Sequence, residues 1–293
     1  VSMSKLTEPY GKSKNDYDIF SGIARLMNVE ADFTKNRSEI DWQRKIYDET
    51  RDKTAELGVE IPEYEQFLEE GWFKVDPPTE PVVMLSDFRA DPVNNPLLTP
   101  SGKIEIFSQP VSNFNYDDCP GHPVWLEPYE WLGSDDKRWP LHLISNQPKT
   151  KLHSQIDHGS HSKASKVMGR EPVHIHPVDA AQRNLNDGST IRVFNDRGAC
   201  LGGVVIDTAL RPGVIQMSTG AWYDPLDPAE QNSLCKHGNA NVLTRDKGTS
   251  KLGQGPSAHS CLVEIELYTE DLPPVTAHEP PQIERKDLSP DDI

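Results

Sequence analysis

The chain has 293 residues, with 30 basic against 46 acidic side chains and a formal net charge of −16. That length suits one or two domains. The charge excludes proteins that grip phosphate backbones or dock on anionic membranes, because both need a basic face. Only 35% of residues are hydrophobic and 25 are Pro, so the composition predicts a loop-rich chain with a modest core. Aromatics at 8% set it apart from a disordered one. The four Cys, at 119, 200, 235 and 261, form no C-x-x-C pair and fit no zinc ribbon. No run of about 18 apolar residues predicts a membrane span, and Val1–Gly11 show no charged-then-apolar leader pattern.

In chain order, the first elements predicted are helices. Asn15 is placed to cap one that opens on Asp16 and Asp18, with Ile19, Phe20, Ile23, Leu26 and Met27 at helical spacing. Ser38 and Asp41 make a capping pair for a second, whose stripe is Ile40, Tyr47, Thr50, Thr54 and Leu57, with Gly58 at its end. Pro62 opens a short third that stops at Gly71. Six prolines between 76 and 100 mark an irregular connector, after which Lys103–Phe107 alternates like a strand.

From about 139 the pattern changes to short strands. They are expected at 141–145, 173–175, 190–195, 200–207, 213–218 and 261–268, with a tight turn at Asn195-Asp196-Arg197-Gly198 and a short helix from Pro177 to Asn184. Strands at this spacing suggest a closed barrel. The segment from 269, with five prolines and seven acids, reads as an extended surface tail. There is no internal repeat.

Four stretches carry possible chemistry. Ser145–Gln155 packs amides, hydroxyls and His153 behind a strand, a donor-rich loop for a heteroaromatic ligand. His153, His158, His161, His174 and His176 raise the question of a metal, but no Cys or paired carboxylate completes a familiar set, so surface or pocket histidines are expected. Gly238–Thr244 and Gly248–Gly255 would let backbone approach a ligand, with Asn and Gln to read a base edge, although neither is a P-loop. Gly220-Ala221-Trp222-Tyr223-Asp224-Pro225 could roof a planar group. Each, taken alone, is equally a solvated loop or a piece of core.

Together and in order, these segments resemble the C-terminal part of the dimethyl sulfoxide reductase family of molybdoenzymes, and are most similar to its trimethylamine N-oxide reductases. The resemblance rests on Asn15–Phe20, Thr99–Ile106, Asn115–Pro123, Leu152–Gln155, Gly169–Pro172, Val193–Gly198, Gly220–Pro225 and Asn241–Thr244. It implies a mixed α and β architecture. Residues 1–130 would be the C-terminal remnant of the α/β oxidoreductase domain. Residues 139–268 would form a six-stranded double-psi β-barrel that binds the dinucleotide, and 269–293 the acidic Pro-rich tail.

The resemblance also implies the cofactor, one Mo held by two molybdopterin guanine dinucleotides. Carried onto this chain, Gln147, His153, Ser154 and Gln155 would face a pterin, and Asn241, Gln254 and Gly255 would lie on the dinucleotide. Gln147 stands where the family often has His. The family's serine ligand to Mo, its substrate-pocket aromatics and its export leader belong to an N-terminal part, so no catalytic or metal-ligating residue is expected here. The chain is then expected to be a fragment, inactive alone, whose partner is the N-terminal half.

The implied full-length enzyme is periplasmic, serves anaerobic respiration, draws electrons from a c-type cytochrome and turns trimethylamine N-oxide into trimethylamine and water. A fragment expressed alone would stay in the cytoplasm. Reductases of dimethyl sulfoxide or biotin sulfoxide, and a non-catalytic module for a nucleotide-like ligand, are the alternatives. If the barrel is right, His153, Asn241 and Gln254 should gather on loops at one open end.

Overall fold

The computed structural model describes residues 1–3 and 5–280. The chain divides into two compact units, Val1–Lys103 and Ile104–Ile293.

The first unit holds five helices: α1 (Asp16–Leu26), α2 (Glu30–Thr34), α3 (Glu39–Glu56), α4 (Tyr64–Glu70) and α5 (Ser86–Ala90). Their starts follow from local chemistry. Asn15 Oδ1 accepts the Asp18 N–H at 2.8 Å, relieving one of the unpaired donors of the first turn. Ser38 and Asp41 close a reciprocal capping box, 3.2 Å one way and 2.8 Å the other. Gly71, at φ +77°, ends α4 in the left-handed region.

Packing inside this unit is thin. Tyr47 on α3 stacks on Phe67 of α4 with centroids 5.1 Å apart, and its hydroxyl donates to Pro62 O at 2.8 Å. The wider stripe expected on α3 is not buried: Ile40 and Leu57 are exposed, and α3 has no fully buried residue. Its contacts with α4 and the preceding turn are made by Tyr47 and by polar side chains, among them Arg44 with Glu65 and Gln43 with Tyr64.

The second unit adds α6 (Gln109–Ser112), α7 (Ser160–Ala164) and α8 (Pro177–Gln182) to six strands: β1 (Leu141–Ile144), β2 (Pro172–Ile175), β3 (Thr190–Phe194), β4 (Ala199–Ile206), β5 (Val214–Met217) and β6 (Leu262–Leu267). The strands close into a barrel in the order β1-β5-β2-β4-β3-β6. β1 runs parallel to β5 and β2 parallel to β4, and the other four pairings are antiparallel. Along each strand alternate residues point inward. Leu141, Leu143, Val173, Ile175, Ile191, Val193, Ile215, Met217, Val263 and Ile265 fill the interior.

The register fixes which loops share an end. Phe194 faces Ala199 and Glu264, His142 faces Leu262, and Val173 faces Met217. The C-terminal ends of β1, β3 and β5 therefore meet the N-terminal ends of β2, β4 and β6. Loops 145–171, 195–198 and 218–261 all leave this one rim.

The strand predicted at Lys103–Phe107 is not formed. Its alternation is real, but no strand among the described residues lies alongside, and Ile104 and Ile106 are 66% and 81% exposed. Alternation without a ladder partner does not make a strand. The tail from 269 has neither helix nor strand through 280. It is nevertheless anchored: Arg170 donates to Pro273 O at 2.6 Å, and Thr276 N–H and Oγ1 both donate to Asp224 at 2.7 Å. Residues 281–293 of the expected tail lie outside the described residues.

Candidate functional site

The rim of the barrel is built by ties between its loops. Asn146, just past β1, accepts Gln216 Nε2 at 2.8 Å and, at its carbonyl, the Thr219 N–H at 2.9 Å. The exits of β1 and β5 are thereby locked together. Gln147 and His153 meet directly, Nε2 to Nδ1 at 3.3 Å. Gln155 N–H donates back to Leu152 O at 2.9 Å and closes a tight turn around His153 and Ser154.

That turn is strained and externally held. His153 has φ +50° and Ile156 φ +61°, left-handed conformations that non-glycine residues avoid. The opposing backbone is Gly220, at φ +92°, where an added Cβ would lie 1.7 Å from His153 O. Only glycine permits that approach. The Trp222 indole N–H then donates to Ser154 O at 2.8 Å. Strain of this kind persists where surrounding contacts over-determine it.

Asn241 lies elsewhere on the rim, in a 3-10 turn, Ala240–Val242, capped by Asn239. It borders a cavity of about 350 Å³ together with Arg197, Tyr223 and Thr244. Gln254 (φ +37°) and Gly255 sit in a third turn, closed by Thr249 N–H to Gly255 O at 2.8 Å. Gln147, His153, Ser154 and Gln155 are thus brought together. Asn241 and Gln254 lie on the loop 218–261 that leaves the same rim, but no hydrogen bond among the described residues links them to His153 or to each other.

Two polar hubs behind the rim were not legible as sites. In the first, Glu130 takes both Arg197 Nη atoms, at 2.6 and 3.1 Å, Arg245 Nε at 3.0 Å and the Leu262 N–H at 2.8 Å. Burial alone would raise this carboxyl, but the hydrogen bonds from Arg197, Leu262 and Arg245 outweigh it and bring it down to about 2. Arg197, satisfied by Glu130 and by Leu243 O, shapes the Asn241 cavity rather than offering a free cation.

The second hub is a buried charge cluster. Lys151 and Lys166 both reach Asp157 Oδ1, at 3.0 and 2.8 Å, and Glu171 Oε2, at 2.9 and 2.6 Å. Asp157 Oδ2 accepts the Trp222 N–H and faces His278 Nε2, each at 3.2 Å. Burial opposes the Asp157 charge, yet the two ammonium groups hold its carboxyl well below the usual range.

His237, fully buried, has Nδ1 3.1 Å from Trp222 O and no partner for Nε2. Burial, aided by the Lys166 charge, pushes its imidazole down to about 4. It is therefore neutral, and it donates to the carbonyl from Nδ1. Asp157, His237 and His278 bring ligand atoms within 4.8 Å of one another. A cation there would meet two ammonium groups already seated on the carboxylate, which opposes metal binding.

The histidine group singled out from the sequence takes no part in this convergence except at its edge, where His158 lies 5.4 Å from the Trp222 ring. The cysteines are packing residues where burial is complete: it raises the Cys200 thiol strongly and that of Cys261 to about 11.

Known proteins resemble this chain over the barrel and beyond it. Residues 141–262, the barrel and its loops, match the family described as "Molydopterin dinucleotide binding domain". The chain is 42% identical over 96% of its length to the dimethyl sulfoxide/trimethylamine N-oxide reductase of Cereibacter sphaeroides. It is 41% identical over 96% of its length to the trimethylamine-N-oxide reductase of Haemophilus influenzae.

In both cases it spans about a third of the relative, 34% of its length. Acetylene hydratase from Pelobacter acetylenicus shares the fold, with a TM-score of 0.62 and 19% identity over 90% of this chain and 34% of that one. No helix among the described residues is long and apolar enough to cross a membrane. The barrel and its rim loops, residues 141–262, thus match a molybdopterin dinucleotide-binding domain family, within a chain similar over 96% of its length to dimethyl sulfoxide and trimethylamine N-oxide reductases.

Proposed function

We propose that this chain is the cofactor-covering part of a molybdenum-dependent trimethylamine N-oxide reductase, and that its barrel is of the double-psi type. On this reading Gln147, His153, Ser154 and Gln155 face a pterin, and Asn241, Gln254 and Gly255 lie along the dinucleotide. The observation that carries it is the common rim: three loops leave one end of the barrel, and the seven residues, on the two long ones, are amides, an imidazole, a hydroxyl and a glycine, with no carboxylate. A pterin dinucleotide is long and edged with donors and acceptors. Each neutral hydrogen bond contributes only about 0.5–1.5 kcal/mol net, so tight binding needs several loops at once. The strained turn at His153 and the close approach at Gly220 fit a cradle held ready before binding.

When bound, the metal centre supplies the two-electron chemistry that turns the N-oxide into amine and water. The residues of this chain bind and orient: the Gln147–His153 pair presents an imidazole edge, and the turn at 152–155 excludes water from that side. Residues 1–130 are then the end of the α/β domain, 139–268 the dinucleotide-binding domain, and 269–293 the tail. The remaining two thirds of such an enzyme are its main partner. A periplasmic site, anaerobic respiration and a c-type cytochrome donor complete the reading.

The test is a dye-linked assay with reduced viologen. The purified chain should not reduce trimethylamine N-oxide, with or without added cofactor. Combined with the N-terminal two thirds of a relative and the cofactor, it should. Turnover by the chain alone would overturn the assignment of the metal-ligating residues to another part. Turnover with dimethyl sulfoxide in place of the N-oxide would replace the substrate assignment, and cofactor binding without turnover in the combined sample would leave a binding module.

A further inference from the structure

The segment after β6 does not simply trail away. Strand β6 ends at the barrel end opposite the rim, yet Pro273 O, Thr276 and His278 contact Arg170, Asp224 and Asp157, all on rim loops. Residues 269–278 therefore run the length of the barrel and return to the rim. There His278 shares Asp157 Oδ2 with the Trp222 backbone N–H, and its ring lies edge-on to Trp222 with centroids 5.4 Å apart. Trp222 in turn clasps Ser154 O through its indole. The path from the C-terminal segment to the strained turn is thus two side chains long.

We propose that residues 273–278 are a strap that sets the conformation of the 152–155 turn, with His278 and Asp157 acting through Trp222 as positioning residues. The strap depends on no bound group. That the turn it positions faces a pterin rests on the proposed function.

Every contact in the path is accounted for. Asp157 Oδ1 is saturated by Lys151, Lys166 and Ser162, so only Oδ2 remains to hold Trp222 and His278 in register. Thr276 is fixed independently by Asp224, itself paired with Lys236 at 3.1 Å. With Arg170 holding Pro273 O, the strap therefore has three anchors, and the His278 anchor alone touches the tryptophan. His158 and His237 flank the same assembly, His237 from beneath with its ring 4.9 Å from His278. The turn at His153 has left-handed backbone that would relax if the clasp at Ser154 O were released.

Hydrogen exchange of the Trp222 indole N–H and of the 153–156 amides, followed by NMR on the full chain without cofactor, tests this. Trp222→Phe assigns the indole resonance. In His278→Ala these protons should exchange at least tenfold faster, while the amides of β1–β6 stay protected as before. His278→Gln, whose amide can still donate to Asp157 Oδ2, should restore slow exchange. Unchanged exchange in His278→Ala, equally fast exchange in His278→Gln, or a uniform loss across the strands would each overturn the strap. Because no cofactor is present, that failure is distinct from a failure of the cofactor-facing reading.

Discussion

The helical unit and the barrel solve the burial problem in opposite ways. The barrel closes on itself, so each inward side chain meets others: Leu143, Ile175, Ile191, Val193 and Ile215 are fully buried. The helices of the first unit bury only Ser21, Ala24, Thr34 and Tyr64, while Ile19, Phe20, Ile23 and Leu26 remain 44% to 86% exposed. A helix with an apolar stripe and nothing against it is normally covered by something else. Stability is therefore expected to reside in the barrel, and association in the helices.

The largest effect that would break this contrast is a cavity in the barrel. Leu143→Ala should cost about 2–5 kcal/mol in urea unfolding. Phe20→Ala, on an already exposed face, should stay within about 0.5 kcal/mol. Similar losses for the two would mean that the helical unit has a core of its own.

Next comes pH. His237 titrates near 6.5 when unfolded and about 4 when folded. The unfolded state thus takes up its proton first, and stability falls as pH drops from 6.5 towards 4. Glu130 titrates near 4.5 unfolded and about 2 folded, so its contribution is intact above 4.5 and is lost as pH falls towards 2. Each shift corresponds to roughly 3 kcal/mol at full extent. Unfolding free energies of His237→Gln and Glu130→Gln against pH should flatten the first and second windows respectively. A profile unchanged by both variants would contradict the two hubs.

Association sharpens the same comparison. Sedimentation should show concentration-dependent self-association that Ile19→Ser with Ile23→Ser reduces; a clean monomer with the unsubstituted sequence would remove the exposed patch as its cause. The smallest effect expected is at the Ser38 cap. Ser38→Ala should cost about 1 kcal/mol, confined to exchange protection of α3 and absent from β1–β6.

Most of the barrel was legible because short strands carry their own signals. All six were placed within one or two residues, since inward and outward residues alternate and Asn195–Gly198 and Pro177 mark the breaks. Lys103–Phe107 has the same alternation and failed, because a strand also needs a neighbour that the local sequence does not reveal. The caps of α1 and α3 were legible for the opposite reason: capping is settled within four residues.

The rim itself could be anticipated from its polar loops, but its supports could not. Asp157 meets residues from Lys151 to His278, and Glu130 is 132 positions from Leu262. A possible signal was the pair of carboxylates, Asp157 and Glu171, each near a lysine within a loop otherwise poor in acids. Nothing in it pointed to His237 or His278, which lie far downstream.

The central claim, that one rim of the barrel receives the pterin dinucleotides, is most directly tested by amide exchange read by mass spectrometry. The chain would be measured with and without cofactor released anaerobically from a reductase relative. Protection is expected in 146–156, 239–244 and 248–255, with loops 184–189 and 207–212 at the opposite end unaffected. Protection of the opposite end, or no change at the rim under saturating cofactor, would contradict it.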